Sequence, residues 1–319
     1  MDAPLRATVT LVISTAVLAA VQWLASRQIE PFFTYLYFFS WIPFLWALDR
    51  LIVQTKRRTF FGDTSARASV QKYVGLAVCS TTVWLIFEVL NFRLQNWLYV
   101  GVPPEHIVRW PGYAFSYMTV LPGLLFLTDL LGGFDGPRRD VRLKPDIAQH
   151  DRQVQLKPDT TYNVAIGAAM LALPMIWPRF FFPLIWIAFI FLLDPYVARH
   201  GGRSLLTEWR RGDYRLTRSL VVAGLLCGIF WEACNFLAGA KWIYDVPFVG
   251  FLKIFEMPIL GFFGFPVFAL EAFVMTEAAR IFWRRHSTAG HWLTAVIVVG
   301  FWLATFAGID TFTVRGWRS

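Results

Sequence analysis

Two glutamates in apolar sequence are each followed by the same residues. Glu88-Val-Leu-Asn91-Phe92 leads to Trp97-Leu-Tyr99 and Pro103, and Glu232-Ala-Cys-Asn235-Phe236 leads to Trp242-Ile-Tyr244 and Pro247. Counted from each Glu, Asn falls at +3 and Pro at +15 in both copies. An ionised carboxylate is costly in hydrocarbon, so such a group is neutral, paired or lining a polar cavity. Asn at i+3 shares its helix face. Each pair therefore offers a proton donor and an amide to one cavity, or else a helix–helix hydrogen bond that fastens a bundle. The catalytic candidates are Glu88 and Glu232, with Glu271 and Asp129 as further intramembrane acids whose alternative role is packing. Asn91, Asn235, Trp97, Tyr99, Trp242 and Tyr244 are the candidate substrate-binding residues. Aromatic belts account for Trp and Tyr at headgroup depth. Aromatic faces also suit a polyene or a carbocation, through dispersion and cation–π attraction.

The elements that must position these groups are membrane helices. Of 319 residues, 56% are hydrophobic and only 16% charged, against roughly 25% charged in a soluble domain. One soluble core of this size could not hide that much apolar surface. Spanning helices need ~20 mostly apolar residues. Nine spans are expected, near 7–25, 33–53, 73–95, 113–133, 162–178, 180–198, 217–238, 258–279 and 290–309. The fifth is short, and no helix is read as broken. Residues 1–25 also look like a signal peptide; a retained helix is preferred, because span five is its counterpart in the repeat.

The fold class is therefore an all-α polytopic membrane protein, with two parallel four-helix repeats and a C-terminal helix. The repeat extends beyond the Glu motifs: Asp49 matches Asp194, and Asp129 matches Glu271. Four spans return the chain to the same side, so the halves are parallel rather than inverted, with a cleft between them. The expected divisions are 1–133, a flexible cytoplasmic linker at 134–161 containing LKPD twice, 162–282, and 283–319. With the N-terminus inside, 22 of the 30 Lys and Arg fall on cytoplasmic segments and their flanks. The positive-inside rule then puts the N-terminus in the cytoplasm and the C-terminus outside, in a cell membrane of bacterial inner-membrane type. The formal charge of +9 is thus sorted onto loops that meet anionic headgroups, not nucleic acid. Asp49 and Asp194, beside basic loops, are expected to form salt bridges.

Several chemistries lack their signatures. The five histidines are scattered, and no Walker loop, GxGxxG, HExxH or GxSxG occurs. No cofactor and no metal is expected. Cys79, Cys227 and Cys234 form no CxxC pair and read as small buried hydrophobes. Span eight opens with Glu256-Met257-Pro258-Ile-Leu260-Gly261-Phe-Phe263-Gly264-Phe265. Pro258 suits a helix start, and the two glycines suit close packing or a flat ligand.

Glu232, Trp242-Ile-Tyr244 and the helix from Pro258 to Phe265 resemble motifs of integral-membrane carotenoid-modifying enzymes, the lycopene cyclase domain proteins and carotenoid hydratases. The first repeat is similar more weakly. Where the cyclases carry paired Glu after the Pro, this chain has Leu260-Gly261, and Glu256 precedes the Pro. The resemblance implies cyclisation, hydration or isomerisation of an apolar isoprenoid in the bilayer. Its expected partners are membrane lipids and that substrate; oligomeric state is not readable. A lipid or small-molecule transporter and a structural assembly protein are the alternatives.

Overall fold

The structure, a computed structural model, describes residues 3–62, 65–135 and 157–317. Most of the expected linker, including the first LKPD, lies outside the described residues. The chain is an all-α polytopic membrane protein. Its long helices are α1 (Ala3–Ser26), α2 (Leu36–Lys56), α3 (Ala66–Leu94), α4 (His106–Tyr117) with α5 (Val120–Leu130), α6 (Lys157–Ile176), α7 (Pro178–Phe181) leading to α8 (Ile185–Arg199), then α10 (Arg215–Leu237), α11 (Gly264–Arg285) and α12 (Thr288–Phe312), with a short α9 (Leu205–Arg210). Eight segments among the described residues are long and apolar enough to cross a membrane. The remaining expected span is the fifth, read as short: the apolar part of α6 is Thr161–Ile176, about 24 Å of helix against a hydrocarbon core of about 30 Å. Its described part already includes Lys157, inside the expected linker.

Span four is broken, against expectation. α4 ends at Tyr117 and α5 begins at Val120. Pro122 is the cause: it has no N–H, and its ring clashes with the carbonyl four residues back. Backbone groups freed in a membrane need partners, and Ser80 of α3 supplies them. Its hydroxyl donates to the Tyr117 carbonyl at 2.5 Å and accepts from the Leu121 N–H at 3.0 Å.

The helices pack in matching fashion in the two halves. α1 lies against α2 and α6 against α8; α5 lies against α10, and α3 against α11. Asp49 accepts the N–H of Phe60, and Asp194 the N–H of Leu205, each eleven residues on. Asp49 also pairs with Arg50. Asp194 departs from the expected salt bridge: its carboxylate is taken by the Ser204 hydroxyl and the N–H groups of Leu205 and Leu206, which tie α8 to α9. α10 and α11 touch closely over Gly224 and Gly228, a GxxxG spacing. A methyl at Gly224 would stand 2.5 Å from the Phe265 carbonyl oxygen, and one at Gly228 would run into the Phe265 ring.

Short strands cap one end of the bundle. β1 (Trp97–Val102) lies between β2 (Lys241–Tyr244) and β5 (Val314–Trp317). β1 and β2 are antiparallel, with Trp97 opposite Tyr244, Leu98 opposite Ile243 and Tyr99 opposite Trp242. The repeated Trp-x-Tyr segments therefore pair with one another about a local twofold at Leu98–Ile243. β3 (Lys253–Ile254) and β4 (Met257–Pro258) form a separate hairpin.

Candidate active site: two carboxyls behind an aromatic cavity

The two asparagines build the site. Asn91 accepts the Asn96 N–H at 2.8 Å through Oδ1 and donates to the Trp97 carbonyl at 2.8 Å through Nδ2. Asn235 accepts the Trp242 N–H at 2.9 Å and donates to the Trp242 carbonyl at 2.8 Å. Each amide clamps the start of a strand to the end of a helix. The same clamp therefore serves both copies although Trp follows Asn by six residues in the first and seven in the second. It also gives the asparagines a positioning role in place of the expected contact with substrate, since their polar atoms are occupied by backbone.

A strand turns alternate side chains to one face. Trp97 and Tyr99 thereby both reach Glu88, and Trp242 and Tyr244 both reach Glu232. Glu88 Oε1 accepts from Tyr99 Oη at 2.6 Å, Trp84 Nε1 at 2.8 Å and Trp97 Nε1 at 3.1 Å. The Tyr117 hydroxyl donates to that of Tyr99 at 2.9 Å. Glu232 Oε1 accepts from Tyr244 Oη at 2.8 Å and Trp242 Nε1 at 3.4 Å, and the Trp242 indole also donates to Tyr244 Oη at 2.8 Å. Both carboxyls are fully buried, and Oε2 of each has no partner among the described residues. A proton carried by either acid sits on Oε2, because Oε1 faces donors only. Tyr99 and Tyr244 ionise well above the usual phenol value, first through burial and then through the charge of the adjacent carboxyl.

The donors of the two arms open on one cavity of about 430 Å³, within the roughly 300–1,000 Å³ of ligand pockets. Its wall holds Trp84, Trp97, Tyr99 and Tyr117 from one arm and Trp231, Trp242 and Tyr244 from the other. Trp186, Phe265 and Phe268 extend the aromatic lining, and Leu260, Gly261, Phe263 and Gly264 form its second-repeat side. Glu88 and Glu232 lie behind this wall, not in it. What a ligand meets first is indole and phenol.

The other expected acids do not join them. Asp129 ends α5 in a two-pronged pair with Arg58, both contacts at 2.8 Å, with Lys56 also on it. Glu271 is buried and accepts the Phe189 N–H at 2.7 Å, a staple between α11 and α8. Glu256 pairs with Lys241 at 2.6 Å. The expected close packing at Gly261 and Gly264 holds only for the first. A methyl at Gly261 would meet the Met257 side chain, whereas one at Gly264 would meet open space.

Trp84 and Tyr117 were not singled out from sequence. Trp84 had a readable signal, since it lies four residues before Glu88 on one helix face. Tyr117 had none, because only the break in span four brings it to Tyr99. Arg109 is 2% exposed and forked onto Asp310 at 2.7 and 2.8 Å, with the Pro103 and Pro104 carbonyls on its other nitrogen. It ties the end of α12 to α4. Among the described residues no His, Cys, Asp and Glu group could hold a metal ion.

Fold and site together define a polytopic helical membrane protein with an internal aromatic cavity backed by two carboxyls. No protein-family model matches the chain, and neither a curated protein nor a solved structure is significantly similar to it.

Proposed function

We propose that the protein is a membrane enzyme that performs acid–base chemistry on an apolar isoprenoid-like lipid. The observation that carries this reading is one aromatic cavity lined by tyrosines whose hydroxyls are hydrogen-bonded to buried carboxyls. A cavity of this size takes one end of a long polyene and leaves the remainder in the bilayer. As the Tyr244 hydroxyl turns from Oε1 and gives its proton to a double bond, the Glu232 carboxyl rotates to bring its Oε2 proton onto the Tyr244 oxygen and passes it there. The π pair forms the new C–H bond, the neighbouring carbon becomes a cation, and Glu232 is left as carboxylate. Tyr244 relays and does not store the proton, because its ionised form is strongly disfavoured. Trp and Tyr faces stabilise the cation. Loss of a proton from an adjacent carbon completes isomerisation, or cyclisation after a second double bond has attacked. Addition of water and loss of its proton completes hydration. In each case the proton returns to Glu232, and no organic cofactor is consumed.

We place the N-terminus in the cytoplasm and the C-terminus outside, in a bacterial inner membrane, because the cationic residues concentrate on one set of loops. The broken span four does not favour a transporter. Transport sites use freed backbone groups on the ligand, and here Ser80 occupies them.

The test is expression in a lycopene-accumulating host with pigment chromatography. A new product with wild type that disappears with Glu232→Gln supports the reading. No new product with either overturns its carotenoid form.

A further inference from the structure

The two arms are repeats in sequence but not in their surroundings. Glu88 Oε1 accepts three donors, more than the two lone pairs of a carboxyl oxygen can serve well. Tyr99 is pinned from both sides, donating to Glu88 and accepting from Tyr117. Trp97 and Tyr99 are buried, at 4% and 7% exposure.

The second arm has no counterpart of Trp84 or Tyr117, and Tyr244 accepts instead from Trp242 of its own strand at 2.8 Å. Four residues before Glu232, where Trp84 stands in the first copy, the chain has Gly228. The Phe265 ring, an apolar group, packs there. The run from Met257 to Phe265 contains no hydroxyl residue that could play the part of Tyr117. Glu232 keeps one short donor, Tyr244, and one long one, Trp242 at 3.4 Å. Every residue of β2 is partly exposed, and Gly261 and Gly264 border the cavity with no side chain.

We propose that the copies have divided the work. The Tyr244–Glu232 arm meets the ligand and hands over the proton, and the Glu88 arm is a rigid wall that shapes the cavity. A hydroxyl must re-aim from its carboxyl toward a substrate to deliver a proton. Both tyrosines border the cavity, but Tyr244 lies on a partly exposed strand beside a carboxyl with one short and one long donor, whereas Tyr99 is buried beside a carboxyl that holds three. The inference rests on the proton-transfer reading, in which Glu232 is a positioning and proton-holding residue that acts through Tyr244.

An apolar carbodiimide separates the arms without any activity assay. The carboxyl O–H adds across one C=N bond, oxygen to the central carbon and hydrogen to nitrogen. The acyl group then migrates to nitrogen, leaving a stable adduct with no leaving group. Membranes containing the full chain are treated with dicyclohexylcarbodiimide and digested, and the adducts are quantified by mass spectrometry. Glu232 is expected to react at least about tenfold faster than Glu88, a difference of ~1.4 kcal/mol in barrier. Trp84→Gly should raise labelling of Glu88 while Glu232 labelling, which reports an intact fold, is unchanged. Equal or faster labelling of Glu88 in the wild type overturns the proposal. So does a pigment product that survives Glu232→Gln but is lost with Glu88→Gln. If no pigment product forms at all but Glu232 is still selectively labelled, the isoprenoid reading falls and the asymmetry of the arms stands.

Discussion

Each of the two central carboxyls depends on a phenol and an indole held two residues apart on a strand. That spacing has an electrostatic consequence that can be measured. Tyr99 and Tyr244 are buried beside carboxyls, so their folded-state ionisation lies well above the ordinary phenol value of ~10. In the unfolded chain they ionise near that value. The folded form therefore holds its phenolic protons more tightly. The stability this contributes is fully present below pH ~10 and is lost as pH rises above it, as unfolding begins to release protons. Alkaline titration in detergent, followed by phenolate absorbance, is expected to show a fraction of tyrosines that ionise only on unfolding. Tyr244→Phe should shrink that fraction and make stability fall less steeply with pH above ~10. Free titration of every tyrosine near the ordinary value in the folded protein would contradict the burial described for these two side chains.

At the scale of elements, small residues decide how closely helices approach, and hydroxyls decide where a helix can be interrupted. Lipid offers no hydrophobic drive between helices, so close packing and hydrogen bonds carry their association. Gly224 brings α10 onto the backbone of α11 at Phe265, whereas Gly264 faces space. The two make a matched pair. Gly224→Ala is expected to cost about 1–3 kcal/mol through overpacking, read as a lowered Tm in detergent. Gly264→Ala should leave Tm unchanged, since its methyl meets no atom. Similar effects at both positions would refute the packing described. The break in span four follows the same logic: Pro122 forces it, and Ser80 makes it tolerable by serving a carbonyl on one side and an N–H on the other.

Across the whole molecule, one cavity is served by both halves because β1 and β2 pair about a local twofold. Two segments that read the same way along the chain can pair antiparallel only if their halves are rotated by half a turn. That rotation brings Trp97–Tyr99 and Trp242–Tyr244 to one place. It also puts both sets of strands on the same membrane side, the outer one in the orientation we propose. Reporter fusions test this. A fusion after Glu208, between α9 and α10, should be active as a cytoplasmic reporter, and one after Asp245 as an external reporter. The opposite pattern would reverse the orientation and place the cavity's strand end in the cytoplasm.

Membrane embedding, the helices and the two linked motifs were legible in the linear chain, because apolar length and residue spacing are local properties. The acids at 88 and 232 could be picked out for the same reason: a carboxyl in an apolar run is conspicuous wherever the helix goes. Partnership was not legible. Asp129 and Glu271 looked like further site acids, yet cations from α2 and the loop after it reach the first, and a backbone N–H of α8 takes the second. Whether Asn91 would meet a ligand or its own backbone depended on a chain reversal that spacing alone does not specify. The sequence by itself determined which segments enter the bilayer and which groups are duplicated, since hydration cost acts residue by residue. Only the tertiary structure decided that phenols and indoles line the cavity with the carboxyls behind them, because that order depends on how strands and helices from distant parts of the chain pack.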